Sequence, residues 1–437
     1  MKKLLFVFIF ICAFLNCCKQ VPNSINFYET EILDDSIKRM IIHNIDENNV
    51  LKFSDIFDSI IFIRLETTNN SLIGTVDKLI SIKDKYIILD AWSAKGVFVF
   101  DEFGNFLNRI GSSGKGPEEF DVPLDIAYDK YNDELLVLDR NRKRIMRFQI
   151  NGKFVGDIKL SWWASAIWMI AKNQYLLYLN NVVQENGKPS DYNIHIVNSE
   201  GESVSQMMPF DENTGKLSPP TRKIFSFYKN QTIASPSYGN RIYEILDNQL
   251  NIKYYLDFGK RAIPSSLFNN TTSRELMQEI DKSGMYVYNS SSVETSSHVI
   301  SELIYKRKVF YCYYSKVSET CKISSAFFND IYALASMEGR GMTTKGDSLI
   351  CVIDVDVFYD LQKSVRQAQK NNGNYKKLML SALASSGASV LNRQLRNNYE
   401  KAVESSNITL SNKEAEFILS IKEEDNPIIR IAKLKKF

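Results

Sequence analysis

Residues 111–158 read GSSGKGPEEFDVPLDIAYDKYNDELLVLDRNRKRIMRFQINGKFVGDI. A glycine-rich lead-in is followed by four short runs rich in Leu, Ile, Val and Phe, broken by clusters of Asp, Asn, Lys and Gly. Short apolar runs punctuated in this way are β-strands joined by tight turns. Residues 98–110 (FVFDEFGNFLNRI) align without a gap on residues 146–158 (MRFQINGKFVGDI), placing Phe100 on Phe148, Gly104 on Gly152 and Phe106 on Phe154. The glycine falls in a hairpin, where a positive φ costs a glycine nothing. Gly201 in HIVNSEGESV and Gln249 in YEILDNQLNI take the same slot, at successive spacings of 48, 49 and 48 residues. Earlier in the unit, residues 86–90 (YIILD) match 135–139 (LLVLD), with a looser third copy at 174–179 (QYLLYL). A period of about 40–50 residues with several strands per unit is the sequence signature of a β-propeller.

The spacing lays out six blades, with seven as the alternative. Blade one spans about 74–111, blade two 120–160, blade three 163–209, blade four 222–259 and blade five 295–328. The sixth combines 348–354 with two strands from the chain ends. Residues 60–65 (IIFIRL) have no partner in their own neighbourhood, and residues 428–434 (IIRIAKL) offer one. Pairing them closes the ring and removes an exposed sheet edge. The fold class is therefore all-β, a six-bladed propeller over residues 46–437, interrupted by helical insertions at about 264–284 and 357–424. The first insertion has Thr272 or Ser273 as N-cap and Gly284 as its stop. In the second, Ser411 and Glu414 form a capping box.

Gly114, Gly116, Pro117, Glu119 and Phe120, then Pro123, Asp125 and Ile126, then Asp139, Arg140, Arg144, Ile145 and Gly152, resemble the NHL-type repeat. The whole chain is similar to the six-bladed β-propeller lipoproteins common in Bacteroides-like bacteria. The resemblance implies fold and location. That family has no single agreed activity, so it implies no catalytic residues.

The N-terminus supplies an address. Lys2 and Lys3 precede the apolar stretch 4–15, which at twelve residues is shorter than the roughly 20 that a spanning helix needs and fits a secretory leader. The stretch ends Leu15-Asn16-Cys17-Cys18, which resembles a bacterial lipobox with Cys18 as the lipidated residue and Cys17 as the second choice. Residues 1–17 are then the signal peptide and 18–45 a tether. The expected location is the cell envelope, lipid-anchored to the outer membrane. Without Lys2 and Lys3 the formal charge of +3 drops to +1, which gives no electrostatic case for binding nucleic acid.

The candidate chemistry is thin. Asp125, Asp139, Arg140 and Arg144 sit beside strand ends, where such residues fasten turns and neighbouring blades. Asp354, Asp356 and Asp360 lack the glycine and glutamate of a calcium loop. GSSGKGPEEF lacks the lysine–hydroxyl ending of a phosphate loop and precedes a strand rather than a helix. His43, His195 and His298 are isolated, and no metal site or cofactor is expected. Cys312 and Cys321 flank the turn at Val317-Ser318, so a disulfide could join them in an oxidising compartment. Trp162, Trp163 and Trp168 fall within seven residues. Adjacent Trp162 and Trp163 cannot both face the core of one strand. An indole left outside the core is a stacking platform for a sugar or a peptide side chain, and Trp92 is a companion on the outer loop of blade one. The function expected is an anchored binding or scaffold module whose propeller face recognises a protein or a glycan. The alternative is a polysaccharide lyase or hydrolase, which would need carboxylates converging at the channel mouth.

Overall fold

The computed structural model describes residues 37–210, 223–228, 231–268, 272–331, 339–370, 376, 393–406 and 410–437. Six antiparallel sheets form the six blades of a propeller. In order, with the innermost strand first, blade one is Lys78–Ile82, Lys85–Asp90, Gly96–Asp101 and Phe106–Ile110. Blade two is Pro123–Asp129, Glu134–Asp139, Arg144–Gln149 and Phe154–Lys159. Blade three is Ala166–Ala171, Gln174–Tyr178, Tyr192–Val197 and Ser203–Pro209. Blade four is Phe225–Tyr228, Gln231–Ala234, Arg241–Leu246 and Gln249–Asp257. Blade five is Val287–Glu294, His298–Tyr305, Lys308–Ser315 and Cys321–Ser324.

The sixth blade closes the ring as expected. Arg340–Lys345 and Ser348–Ile353 are followed, 75 residues later, by Ile428–Leu434, whose other edge pairs with Phe57–Arg64. In that register Ile428 faces Arg64 and Ala432 faces Ile60. Apolar side chains fill each junction between neighbouring blades, because a twisted sheet with two apolar faces must bury both. Val99 and Leu135 meet between blades one and two, Leu177 and Leu138 between two and three, and Ile350 and Ile88 between six and one.

The repeat glycines do more than permit a turn. Gly104 and Gly201 have φ near +89° and +82°. A Cβ on Gly104 would lie 2.0 Å from the Arg64 carbonyl oxygen of blade six, and one on Gly201 would lie 1.9 Å from that of Lys159 in blade two. Each hairpin therefore presses on the outermost strand of the preceding blade, so both chain direction and blade spacing require the missing side chain. Blade four departs from this pattern. Gln249 is not in the hairpin slot but opens the last strand, and a two-residue turn of Asp247 and Asn248, both with positive φ, replaces the longer glycine hairpin.

Three boundaries differ from the sequence expectation. Residues Lys38–Ile41, inside the stretch read as a tether, form a fifth strand parallel to the outermost strand of blade four. Buried Met40 and Ile42 join the core there. Blade five starts at Val287 rather than near 295, because VYNSSSVE carries too few large apolar residues to read as a strand although Ser291, Ser292 and Glu294 are buried. Residues Ala326–Phe328, assigned to the end of that blade, instead pair in parallel with Val50–Lys52.

Both insertions are helical. The helix Ser273–Ser283 is capped by Thr272, whose side chain accepts the Glu275 N–H, and stops at Gly284 with φ of 59°. The second insertion holds the helices Val355–Lys370, Arg393–Glu404 and Asn412–Leu419, the last capped by Ser411 and Glu414. Phe358 and Phe417 from this insertion pack on Phe62 of blade six, covering its outer side.

His298 opens the second strand of blade five with no exposed surface. Its Nδ1 lies 2.8 Å from Ser297 Oγ, and its Nε2 has no partner. Burial pushes its imidazole down to about 4; Asp347 opposes the shift, while Lys316 and Lys322 add to it. The unfolded chain, with a pKa near 6.5, takes up this proton before the folded one does, so stability is lost as pH falls from about 6.5 towards 4. The loss from this residue by pH 4.5 is about 2–3 kcal/mol. In denaturant titrations at pH 7 and 4.5, His298→Gln should therefore show a smaller pH effect than the parent protein. An equal drop in both would remove His298 as the cause.

Candidate functional site

Strands alternate in direction within each blade, so the loop after the second strand and the connection to the next blade emerge on one face of the ring. Trp92 lies in such a loop of blade one, and Trp162 and Trp163 lie in the connection from blade two to blade three. The alternation that would separate the adjacent indoles does not apply, because neither sits on a strand; both are half-buried. Trp168 is on the innermost strand of blade three and faces the central channel. The four tryptophans nominated by sequence are thus divided between a face and the channel.

Trp162 forms a wall of a pocket of about 410 Å³. Its indole rests 4.4 Å from the ring of His195. The opposite wall comes from the connection between the second and third strands of blade three, which runs thirteen residues, 179–191, against five in blade one and four in blade two. This loop is ordered by its own small hairpin. Val183 bridges Pro189, Gly187 takes a positive φ, and the Gln184 N–H donates to the Lys188 carbonyl at 2.9 Å. The Gln184 side chain then ties the loop to the tryptophan pair, accepting the Trp163 N–H at 2.9 Å and donating to the Trp163 carbonyl at 3.3 Å. Lys143 of blade two pairs with Glu185 at 2.6 Å and lies 5.6 Å above the Trp163 ring.

Around Trp162, the hydroxyl of Ser161, the carboxylate of Asp191 and the amide of Gln206 line the pocket. None of these three groups makes a hydrogen bond within the described residues. His195 is an anchor here. Its Nε2 lies 3.2 Å from the Tyr192 carbonyl oxygen, which can only accept, so Nε2 carries the proton and cannot take one from Ser190 Oγ at 2.9 Å. Burial pushes this imidazole below its ordinary range, keeping it neutral at pH 7.

Of the charged residues nominated in blade two, Asp125, Asp139 and Arg144 are fasteners, whereas the Arg140 side chain makes no bond within the described residues. Asp139 accepts the Asp121 and Val122 N–H groups at 3.3 Å, and its counterpart Asp90 in blade one accepts those of Gly74 and Thr75 at 2.8 and 2.9 Å. Burial works against the Asp90 charge, yet these N–H groups hold its carboxyl below the usual range. Arg144 bridges Asp139 and Asp157, and Arg142 donates to the carbonyls of Gly116 and Glu119, clasping the GKGPEEF segment. Asp125, without exposed surface, pairs with Lys78 of blade one at 2.8 Å and accepts the Ile167 N–H of blade three at the same distance. Burial pushes its carboxyl up, and Lys78 opposes that shift.

Cys312 and Cys321 are both free thiols. Cys321 pairs with Tyr314, and Cys312 with Ile323, so the two cysteines lie two residues out of opposition on the same face of the blade, where Cys321 and burial push the Cys312 thiol up. Cys17 and Cys18 lie outside the described residues. Asp354 and Asp356 stand at the start of the helix Val355–Lys370, and no group of metal-ligating side chains occurs among the described residues.

A protein-family model matches residues 39–385, which covers blades one to five and all of blade six except the strand Ile428–Leu434. The chain belongs to that family, DUF4934, a domain of unknown function. The DUF4934 match begins within the fifth strand of blade four and includes both the blade-three pocket and the channel. No curated protein matches the sequence. In fold, this DUF4934 protein is similar to a Bacteroides fragilis protein described as exported, at 17% identity and a TM-score of 0.68, over 92% of this chain and 100% of that one. A DUF4221 family member from Bacteroides vulgatus aligns at 11% identity and a TM-score of 0.46, over 68% and 92% of the two chains.

Sequence reading missed Asp191 and Gln206 because they lie on other segments, which only folding brings beside Trp162, and it passed over Ser161, the residue just before Trp162. The one available signal was the length of the loop after Tyr178.

Proposed function

We infer that this DUF4934 protein is a glycan-binding module of the cell envelope, anchored to the outer membrane through lipid on Cys18, with the blade-three pocket as its binding site. The observation that carries the reading is the set of exposed polar groups, Ser161, Asp191 and Gln206, that line the pocket beside the Trp162 indole. Sugars present apolar C–H faces edged by hydroxyls, which suits an aromatic wall with a polar rim. The leader at residues 1–17 and the fold likeness to a Bacteroides fragilis protein described as exported support an extracytoplasmic setting.

Titrating the purified protein with a panel of bacterial and plant polysaccharides should find one that binds. Trp162→Ala should then weaken it about tenfold, the equivalent of losing one ring contact worth about 1.4 kcal/mol. Unchanged affinity in that variant would reject the site. Cell fractionation tests the anchor, since Cys18→Ala should move the protein from the membrane to the soluble fraction.

A further inference from the structure

The blade-three pocket carries a charge that its neighbours leave uncancelled. Two carboxylates line it, Glu185 and Asp191, and no lysine or arginine does. Glu185 is already paired, with the Lys143 ammonium 2.6 Å from its Oε1. His195, the remaining titratable group of the lining, is kept neutral by burial. Asp191 differs from both. Its side chain is exposed and has neither an ion pair nor a hydrogen bond within the described residues. The pocket therefore offers a ligand one unpaired negative charge.

The fold holds that carboxylate at the wall of the pocket. Asp191 is the last residue of the thirteen-residue loop, and the next residue opens the strand Tyr192–Val197. The Asp191 carbonyl oxygen accepts the Phe210 N–H at 2.8 Å, which ties the end of the loop to the end of the outermost strand of blade three. Further along Tyr192–Val197, His195 packs against the Trp162 indole and stands directly across from Gln206 in the ladder. The backbone of Asp191 is pinned while its carboxylate stays free, in a pocket shared with an aromatic ring and a side-chain amide.

We propose that this pocket selects amino sugars: its ligand is a glycan with a hexosamine unit whose amine carries no acetyl group and is protonated. This rests on the glycan reading of the same site. The ammonium meets the Asp191 carboxylate in a charge-assisted hydrogen bond, and the C–H face of the sugar lies on Trp162, whose indole also attracts a cation. The Gln206 amide and the Ser161 hydroxyl can each donate to, or accept from, the sugar's hydroxyls. Acetylation removes the charge, and a uronate sets a second carboxylate against Asp191, so the pocket discriminates by repulsion as well as by attraction. The pair forms at the surface, where solvent screening keeps the preference modest.

Calorimetric titration of the intact protein with tetramers of glucosamine, N-acetylglucosamine and galacturonate tests the selection at about pH 6, where an amine is protonated and a carboxylate ionised. The glucosamine tetramer is expected to bind about fivefold more tightly than the acetylated one, with galacturonate weakest, and added salt should narrow the gap. Asp191→Asn should bring the glucosamine tetramer down to the affinity of the acetylated one, whose binding also reports that the pocket is intact. Trp162→Ala should weaken both. Equal or tighter binding of the acetylated tetramer by the parent, no binding of the glucosamine tetramer, or a preference that survives Asp191→Asn would each overturn the inference. The glycan reading would outlive those results, and falls only if Trp162→Ala leaves every polysaccharide of the wider panel bound as before.

Discussion

Removal of residues 428–437 is expected to abolish cooperative folding. The strand Ile428–Leu434 is the third of blade six and holds both of its neighbours, Ser348–Ile353 on one edge and Phe57–Arg64 on the other. Its side chains also enter three separate packing regions. Ile429 fills the junction with blade one, Ala432 and Leu434 the junction with blade five, and Ile428 the seam with the helical insertion. Three of these are fully buried large aliphatics, each worth about 1.5–3 kcal/mol, and the lost strand pairing adds to that sum. The total approaches the whole stability of an ordinary domain, about 5–15 kcal/mol. Two unpaired strand edges would also be exposed to aggregation. Circular dichroism during heating, together with gel filtration, checks the outcome. A monomer that still melts in one sharp transition near the parent temperature would show that the ring does not depend on this closure.

The second large effect is expected at Asp125. Its carboxylate joins three blades, receiving the Lys78 ammonium of blade one and the Ile167 N–H of blade three while standing on the innermost strand of blade two. Asp125→Ala leaves a largely buried ammonium and a buried N–H without an acceptor, at a cost of about 3–5 kcal/mol. Asp125→Asn keeps an acceptor for Ile167 and should cost less. Combining Asp125→Leu with Lys78→Met removes both charges and should recover much of the loss, leaving the Ile167 N–H as the residual penalty. Urea midpoints of the four proteins provide the comparison. A loss under about 1 kcal/mol for Asp125→Ala would mean that Lys78 turns to water in the channel at little cost, and that the pair is not a fastener.

Much of the architecture was legible because a propeller repeats. The hairpin glycines at positions 104, 152 and 201 mark equivalent turns, and the unpaired strands near the two chain ends could only be satisfied by each other. The legible part thins where local composition stops reporting burial. Blade five begins with a serine-rich strand whose hydroxyls are hydrogen-bonded inside the protein, Ser292 to Ser301 at 2.9 Å and Ser291 to Glu302 at the same distance. A strand of that composition gives no apolar alternation to read. The strand Lys38–Ile41 escaped for a related reason, since it adds in parallel to the rim of a completed blade and no repeat unit contains it.

The candidate site divides in the same way. Trp162 stood out as part of a cluster, but the carboxylate and amide beside it come from a loop and a strand that are distant in sequence. Trp168, five residues on from Trp163, faces the central channel instead.

By itself the amino-acid sequence determined the repeat and the way the ring closes, because these depend on local periodicity and turn chemistry that each unit carries within it. Only the tertiary structure decided what the molecule presents to a ligand. Closing the ring brings six innermost strands around one axis and sets loops of neighbouring blades side by side, and the chemistry that results is a property of those junctions rather than of any segment of chain.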